Sequence, residues 1–233
     1  MKILLIQLSG AGDLLQITLL LRCLKKSVTD AEVHLLVQQQ HAEIISTNPH
    51  IDHLHRLHFN EQITLHELIP QHFDHVLDLQ PNPLSALFVE GLQPPKPPVK
   101  QKGLKAFFAQ FLNRATVPKH KAEAYLQKAA SLHVQHDGGG LDFIIPKKEE
   151  VPFADIPASH HAGFIAIALN GTESFQWPLY LLQKLCMVIQ HPIILLGTEK
   201  ERPLAQKAAG DDNIKIYNAC GKFSLFETAD LVR

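Results

Sequence analysis

The sequence has no charge excess of either sign: 22 basic side chains stand against 23 acidic ones, for a formal net charge of -1. No diffuse positive field is therefore available to hold nucleic acid or an anionic membrane by charge alone. Cysteine is scarce. Cys23, Cys186 and Cys220 are odd in number, far apart and set among apolar residues, which argues against a disulfide framework or a close-spaced zinc site and points to a reducing, cytoplasmic setting. Long hydrophobic runs are missing too: MKILLIQL gives way to SGAGD after too few apolar residues for a signal sequence or a membrane span. Histidine is plentiful, at 15. Yet His50, His53, His55, His58, His66, His72 and His75 follow no HExxH or cysteine-containing spacing, so they read as solvated surface residues rather than metal ligands.

What is present alternates in kind. The 233 residues allow one large domain or two modest ones. KILLIQ (2–7) has strand length, a glycine turn follows, and DLLQITLLLRCLKKS carries apolar residues at helical spacing and ends in two lysines. EVHLLVQ (32–38), a stretch near 53–57 and HVLDL (75–79) predict further strands, separated by helices near 41–46 and 63–70. Strands alternating with helices predict a parallel, doubly wound sheet. The proline-rich stretch 92–103 predicts a surface loop, and helices are expected at 104–112 and 120–133. From 137 to 162 the chain turns loop-rich around a short strand LDFII, which predicts a linker with a boundary near 150–160. The same grammar then restarts: FIAIAL, a polar glycine loop, a helix from Pro178, PIILLG, a helix over 199–209, IKIY and a helix from Ser224. The expected domains are thus 1–150 and 160–233. The second has about 75 residues and three strands and ends without a stop signal, so the sequence is expected to be part of a longer protein.

Two loops carry candidate chemistry. Ser9, Gly10 and Gly12 precede Asp13 where a strand opens into a helix, a place where backbone N–H groups and the helix dipole favour an anion. A nicotinamide fingerprint is not met, because Leu15 stands where GxGxxG needs glycine and no acidic residue ends the second strand. Asp13 reads either as a charge at a helix start or as a general base facing the crevice of a parallel sheet. NGTESFQWP repeats the arrangement in the second domain, where backbone donors with the Thr172 and Ser174 hydroxyls suit a diphosphate, or simply cap a helix beside a core Trp177. In GTEKE, after another strand, a carboxylate can accept from ribose hydroxyls or lie solvated in a first helical turn.

In order along nearly the whole chain, MKILLIQLSGAGDLLQITLLLRCLKK, NPHIDHLHRL, FDHVLDLQPNPLSAL, the loop ending in WP, IILLGTEKE and NACGKFSLFETADLV resemble blocks of the bacterial ADP-heptose:lipopolysaccharide heptosyltransferases, glycosyltransferase family 9. The S-x-x-G-D and ACGKFSL blocks are the most specific. The resemblance implies an α/β, GT-B-like fold of two Rossmann-like parallel-sheet domains facing across a cleft, the second incomplete here. It implies heptose transfer from ADP-heptose to the lipopolysaccharide inner core with inversion. The N-terminal domain would take the lipid A and core-oligosaccharide acceptor and the C-terminal domain the nucleotide-sugar donor. Asp13 would be the base, Thr172 would contact the donor phosphates, Glu201 the adenosine ribose and Phe223 the adenine. No metal or other cofactor and no nucleic acid is expected. The protein would work in the cytoplasm, associated through its acceptor with the cytoplasmic face of the inner membrane.

Two departures accompany the resemblance. The family commonly carries a lysine shortly before WP, whereas Phe175 and Gln176 stand here in a shorter loop, so the charge on the leaving diphosphate must be met otherwise. The family's D-S/T-G-x-x-H block is expected beyond Arg233, which would leave this piece inactive by itself. The alternative is a degenerate, non-catalytic sugar- or nucleotide-binding module of the same fold.

Overall fold

The computed structural model describes residues 1–92, 120–169, 176–210, 212 and 214–233. The expected loop beyond residue 92, the helix at 104–112 and most of the NGTESFQWP loop lie outside the described residues. The chain divides into two compact units, Met1–Ile144 and Ile145–Arg233.

In the first unit, β1 (Lys2–Gln7), β2 (Glu32–Gln38), β3 (His53–Leu57) and β4 (His75–Asp78) form one parallel sheet in the order β3-β2-β1-β4. The residues of β1 alternate between two cores. Ile3 and Leu5 pack with Leu14, Ile17, Leu20, Leu21 and Leu24, which lie on or between α1 (Ala11–Gln16) and α2 (Thr18–Ser27). Leu4 and Ile6 meet Leu68 of α4 (Glu61–Leu68), Phe73 and Phe88 of α5 (Pro83–Leu92). A strand buried on both faces must be apolar throughout, which explains the uninterrupted run ILLI. Each such leucine or isoleucine contributes roughly 1.5–3 kcal/mol by leaving water.

The single helix expected over 13–27 is broken at Ile17, whose ψ of -11° departs from the helical value, while the Thr18 hydroxyl donates to the Leu15 carbonyl at 2.6 Å. A short helix, α3 (Ala42–Ile45), follows β2, and α6 (Lys121–Lys128) begins after the undescribed segment. The histidines at 53 and 55 lie on β3, not in a loop, and His55 is half-buried against the buried His34. Desolvation pushes His55 down to about 4, so the reading of that cluster as solvated fails for this residue.

Residues 137–140, expected to be loop, and Asp142 of the expected strand are pinned by Arg22. Its Nε and Nη2 donate to both Asp137 carboxylate oxygens at 2.7 and 3.0 Å, Nη2 also reaches the Gly140 carbonyl at 2.8 Å, and Nη1 meets Asp142. LDFII does not form a strand: the Asp142 amide donates to the Thr18 side chain and no neighbouring strand pairs with it among the described residues.

In the second unit, β5 (Ile165–Ala168), β6 (Ile193–Leu196) and β7 (Ile216–Asn218) form a parallel sheet in chain order. α7 (Leu179–Val188) and α8 (Arg202–Ala209) cover one face through Leu182, Cys186, Ala205 and Ala208. Pro178 caps α7 from just outside its first turn, one residue earlier than expected. Ile156, Phe164, Tyr217, Phe223 and Leu231 cover the other face, Leu231 ending α9 (Leu225–Leu231). The stretch read as a linker therefore packs onto this unit. The buried His160 ring meets the Ile193 carbonyl at 3.0 Å, and the Val151 amide donates to Asp230 at 2.8 Å.

Candidate functional site

The strand order makes the β1 turn special. From β1 the chain winds outward through β2 to β3, then returns to place β4 on the opposite side of β1. Ligands of open parallel sheets bind outside the carboxyl ends of the strands at such a reversal, and Ser9–Asp13 is the loop there. Asp13 occupies the first turn of α1, its amide donating to the Gly10 carbonyl at 3.0 Å. A Cβ built on Gly10 or Gly12 would meet nothing within 4 Å, and neither glycine has positive φ. Neither is demanded by the surrounding protein, and the space beyond each Cα is open.

Helix α6 completes this site with residues that sequence reasoning missed. Lys121, Tyr125 and Lys128 recur at i, i+4 and i+7, the spacing of one helix face. Lys121 Nζ lies 3.0 Å from Asp13 Oδ1, and the pair leaves Asp13 only 14% exposed while Lys121 remains 66% exposed. Asp13 in turn pushes the Lys121 ammonium upward. The buried Tyr125 hydroxyl accepts from Gln7 Nε2 at 3.0 Å, and burial, then Asp13, raises this phenol. Lys128 Nζ donates to the Leu79 carbonyl at 2.6 Å, beyond the end of β4. One helix face thus covers the carboxyl ends of β1 and β4. The available signal was the KAEAYLQK periodicity, but periodicity does not say which element the face meets.

Three buried side-chain oxygens near this turn, Gln7 Oε1, Ser9 Oγ and Gln16 Oε1, have no hydrogen-bond partner among the described residues. Unpaired buried acceptors cost free energy, and they collect where a ligand is to be held. The ends of β2 and β3 line a separate depression of about 700 Å³ bounded by Gln38, Gln40, Leu57, His58 and the fully exposed Phe59.

In the second unit a cavity of about 600 Å³ opens at the carboxyl ends of β5 and β6, lined by Ala168, Gly197, Thr198, Glu199, Gly221 and Phe223 among others. Phe223 is thus placed on the cavity wall. Glu201 is held inside its own turn, where Oε2 accepts from the Thr198 amide at 2.8 Å and hydroxyl at 2.6 Å. Those donors lower its pKa. Glu199, passed over when the resemblance assigned Glu201 to the ribose, lines the cavity and pairs with Arg202 at 2.6 Å. Thr172 and Ser174 lie outside the described residues.

No protein-family model and no curated protein sequence matches the chain. Solved structures do. A glycosyl transferase family 9 protein from Veillonella parvula superposes with a TM-score of 0.73 at 18% identity, over 99% of this chain and 72% of its own. The E. coli heptosyltransferase WaaC with ADP-2-deoxy-2-fluoro heptose gives 0.69 at 19%, over 100% and 80%. E. coli ADP-heptose lps heptosyltransferase II gives 0.65 at 16%, over 100% and 76%. The chain therefore has the α/β, GT-B-like fold of these transferases, and the likeness extends over both units.

Proposed function

We propose that the chain is a glycosyltransferase that moves heptose from ADP-heptose to the inner core of lipopolysaccharide with inversion. The observation that carries this reading is Asp13, a carboxylate at the reversal point of the first sheet, in a chain whose whole length follows heptosyltransferase structures. Asp13 takes the proton of an acceptor hydroxyl as its oxygen attacks the anomeric carbon from the face opposite the nucleotide. The bond from that carbon to the diphosphate oxygen breaks, and its electron pair leaves with ADP.

Residues 1–150 take the lipid A and core-oligosaccharide acceptor, for which the open space beside Gly10 and Gly12 and the depression under Phe59 offer room. Residues 160–233 take the donor. In that unit Phe223 offers the cavity wall to adenine, and Glu201, which does not itself line the cavity and has Oε2 engaged by Thr198, is assigned the ribose through its other oxygen. Thr172 and Ser174 are assigned to the diphosphate, whose negative charge is met by protein donors without a metal. No described helix is long and apolar enough to cross a membrane. A lipid-borne acceptor instead brings the cytoplasmic enzyme to the inner face of the inner membrane.

Calorimetric titration with ADP in the presence of a chelator tests the donor assignment, with GDP and UDP as comparisons. ADP is expected to bind without metal and in preference to both. Strict dependence on magnesium or equal binding of all three would remove the assignment. ADP binding with no sugar transfer by the full-length protein would favour the non-catalytic binding module, the reading that Phe175 and Gln176 support by standing where the lysine is expected.

A further inference from the structure

At the opposite end of the first sheet, away from Asp13, β2 and β3 bring together a group that no sequence spacing announced. Their register pairs His34 with His53 and Leu36 with His55, and alternation along β2 puts Glu32 on the same face as His34. One carboxylate oxygen, Glu32 Oε1, lies 3.1 Å from His34 Nε2 and 3.1 Å from His53 Nε2. All three atoms fall within 4.8 Å of one another. Bonds of about 2.0–2.1 Å to a tetrahedral zinc ion place its ligands about 3.3 Å apart, so two of the three separations already match such a site.

The outer contact fits as well. His34 is buried, and its Nδ1 lies 2.8 Å from His55 Nε2. Without metal the Glu32 carboxylate can only accept, so His34 Nε2 carries the proton and donates to it; when an ion takes that position the proton moves to Nδ1, which donates to His55, and Nε2 presents its lone pair to the metal. His55 then does what the outer partner of a ligating histidine does, fixing ring orientation. Lys2 Nζ, 3.9 Å from Glu32 and partly exposed, is the one cation that competes for the carboxylate among the described ion pairs, and its flexible stem lets it turn to solvent.

We propose that Glu32, His34 and His53 form a binding site for a zinc-like transition metal ion that clips the edge strand β3 to β2, with the remaining coordination position open to water. Two imidazoles and a carboxylate select zinc over magnesium or calcium, which prefer all-oxygen sets. The site takes no part in the transfer chemistry and does not depend on that reading.

Competition between the metal-free protein and a chromophoric chelator for Zn²⁺ tests it. The tightest site is expected to weaken by about 100-fold or more in His53→Ala and in Glu32→Gln, and about 10- to 100-fold in His55→Ala. His66→Ala, an exposed histidine on α4, should leave it unchanged. Because the His53 side chain is about half exposed and that of Glu32 about a third exposed, these variants are expected to keep the wild-type far-ultraviolet circular dichroism. Co²⁺ added to wild type should give the intense visible absorption of a low-coordinate site, absent in His53→Ala. Equal zinc affinity in wild type and His53→Ala, meaning adventitious binding to scattered surface histidines only, would overturn the proposal.

Discussion

Gly221 is where a single methyl group tests how the second cavity is built. Its φ is +70°, and its amide donates to the Gly197 carbonyl at 2.9 Å, tying the β7 loop to the β6 loop. A Cβ there would stand 2.2 Å from Glu199 Oε2, 3.1 Å from Glu199 Cα and 3.2 Å from its amide nitrogen. The carboxylate is 64% exposed and can swing away. The backbone cannot, except by moving a loop that lines the cavity. Holding alanine in left-handed backbone costs about 1–2 kcal/mol, and the compressed backbone contact adds about 1 kcal/mol. Gly221→Ala is therefore expected to destabilise the second unit by about 2–3 kcal/mol. Urea unfolding followed by the fluorescence of Trp177 reads this unit, because Trp177 is the sole tryptophan and packs against its core. The pairing with Glu199→Ala sharpens the test. Removing the carboxylate relieves the 2.2 Å contact but neither the positive φ nor the backbone contacts, so most of the loss should persist. Full recovery in the double variant, or a single variant within about 0.5 kcal/mol of wild type, would refute the reasoning.

Arg22→Ala should lower the stability of the first unit by on the order of 2 kcal/mol, since it removes several charge-assisted hydrogen bonds to a shielded site; chemical denaturation measures it. Arg22 and Lys26 hold Asp137 well below the usual carboxylate range. A depressed carboxylate stabilises the fold above its unfolded value and loses that contribution as pH falls below it. Wild type should therefore lose more stability than Arg22→Ala on acidification below about pH 4; parallel losses would contradict the assignment. Glu201→Ala should weaken ADP binding by about 1–3 kcal/mol through loss of a ribose hydrogen bond, with thermal melting run alongside because the same carboxylate caps the Thr198 turn. Unchanged ADP affinity would free Glu201 from the donor site.

Much of the fold was legible because parallel strands buried on both faces leave a plain mark: KILLIQ, EVHLLVQ and PIILLG are near-continuous apolar runs ended by polar or glycine residues. LDFII carries a similar local mark but finds no neighbouring strand among the described residues, and a strand exists only through its partners. The helix Pro83–Leu92 went unassigned although Pro83 opens it, where the missing amide proton costs nothing. Asp13 stood out because a glycine turn after a strand is a local pattern. Lys121, Tyr125 and Gln7 did not, because what joins them to Asp13 is the packing of a helix more than 100 residues downstream. The same holds for Glu32, His34 and His53, neighbours only through strand register.

The role of Asp13 is tested most directly by Asp13→Asn in the full-length protein, assayed for heptose transfer from ADP-heptose to a truncated core acceptor. The asparagine keeps the size of the side chain and can still accept from Lys121, whose exposed ammonium makes the lost ion pair a weak contributor to stability. Folding and ADP affinity should therefore stay near wild type, while turnover falls by roughly 100-fold or more as the proton acceptor is lost. Wild-type turnover in Asp13→Asn would take this residue out of the chemistry, and a matched fall in stability and activity would make it a structural charge at the start of α1.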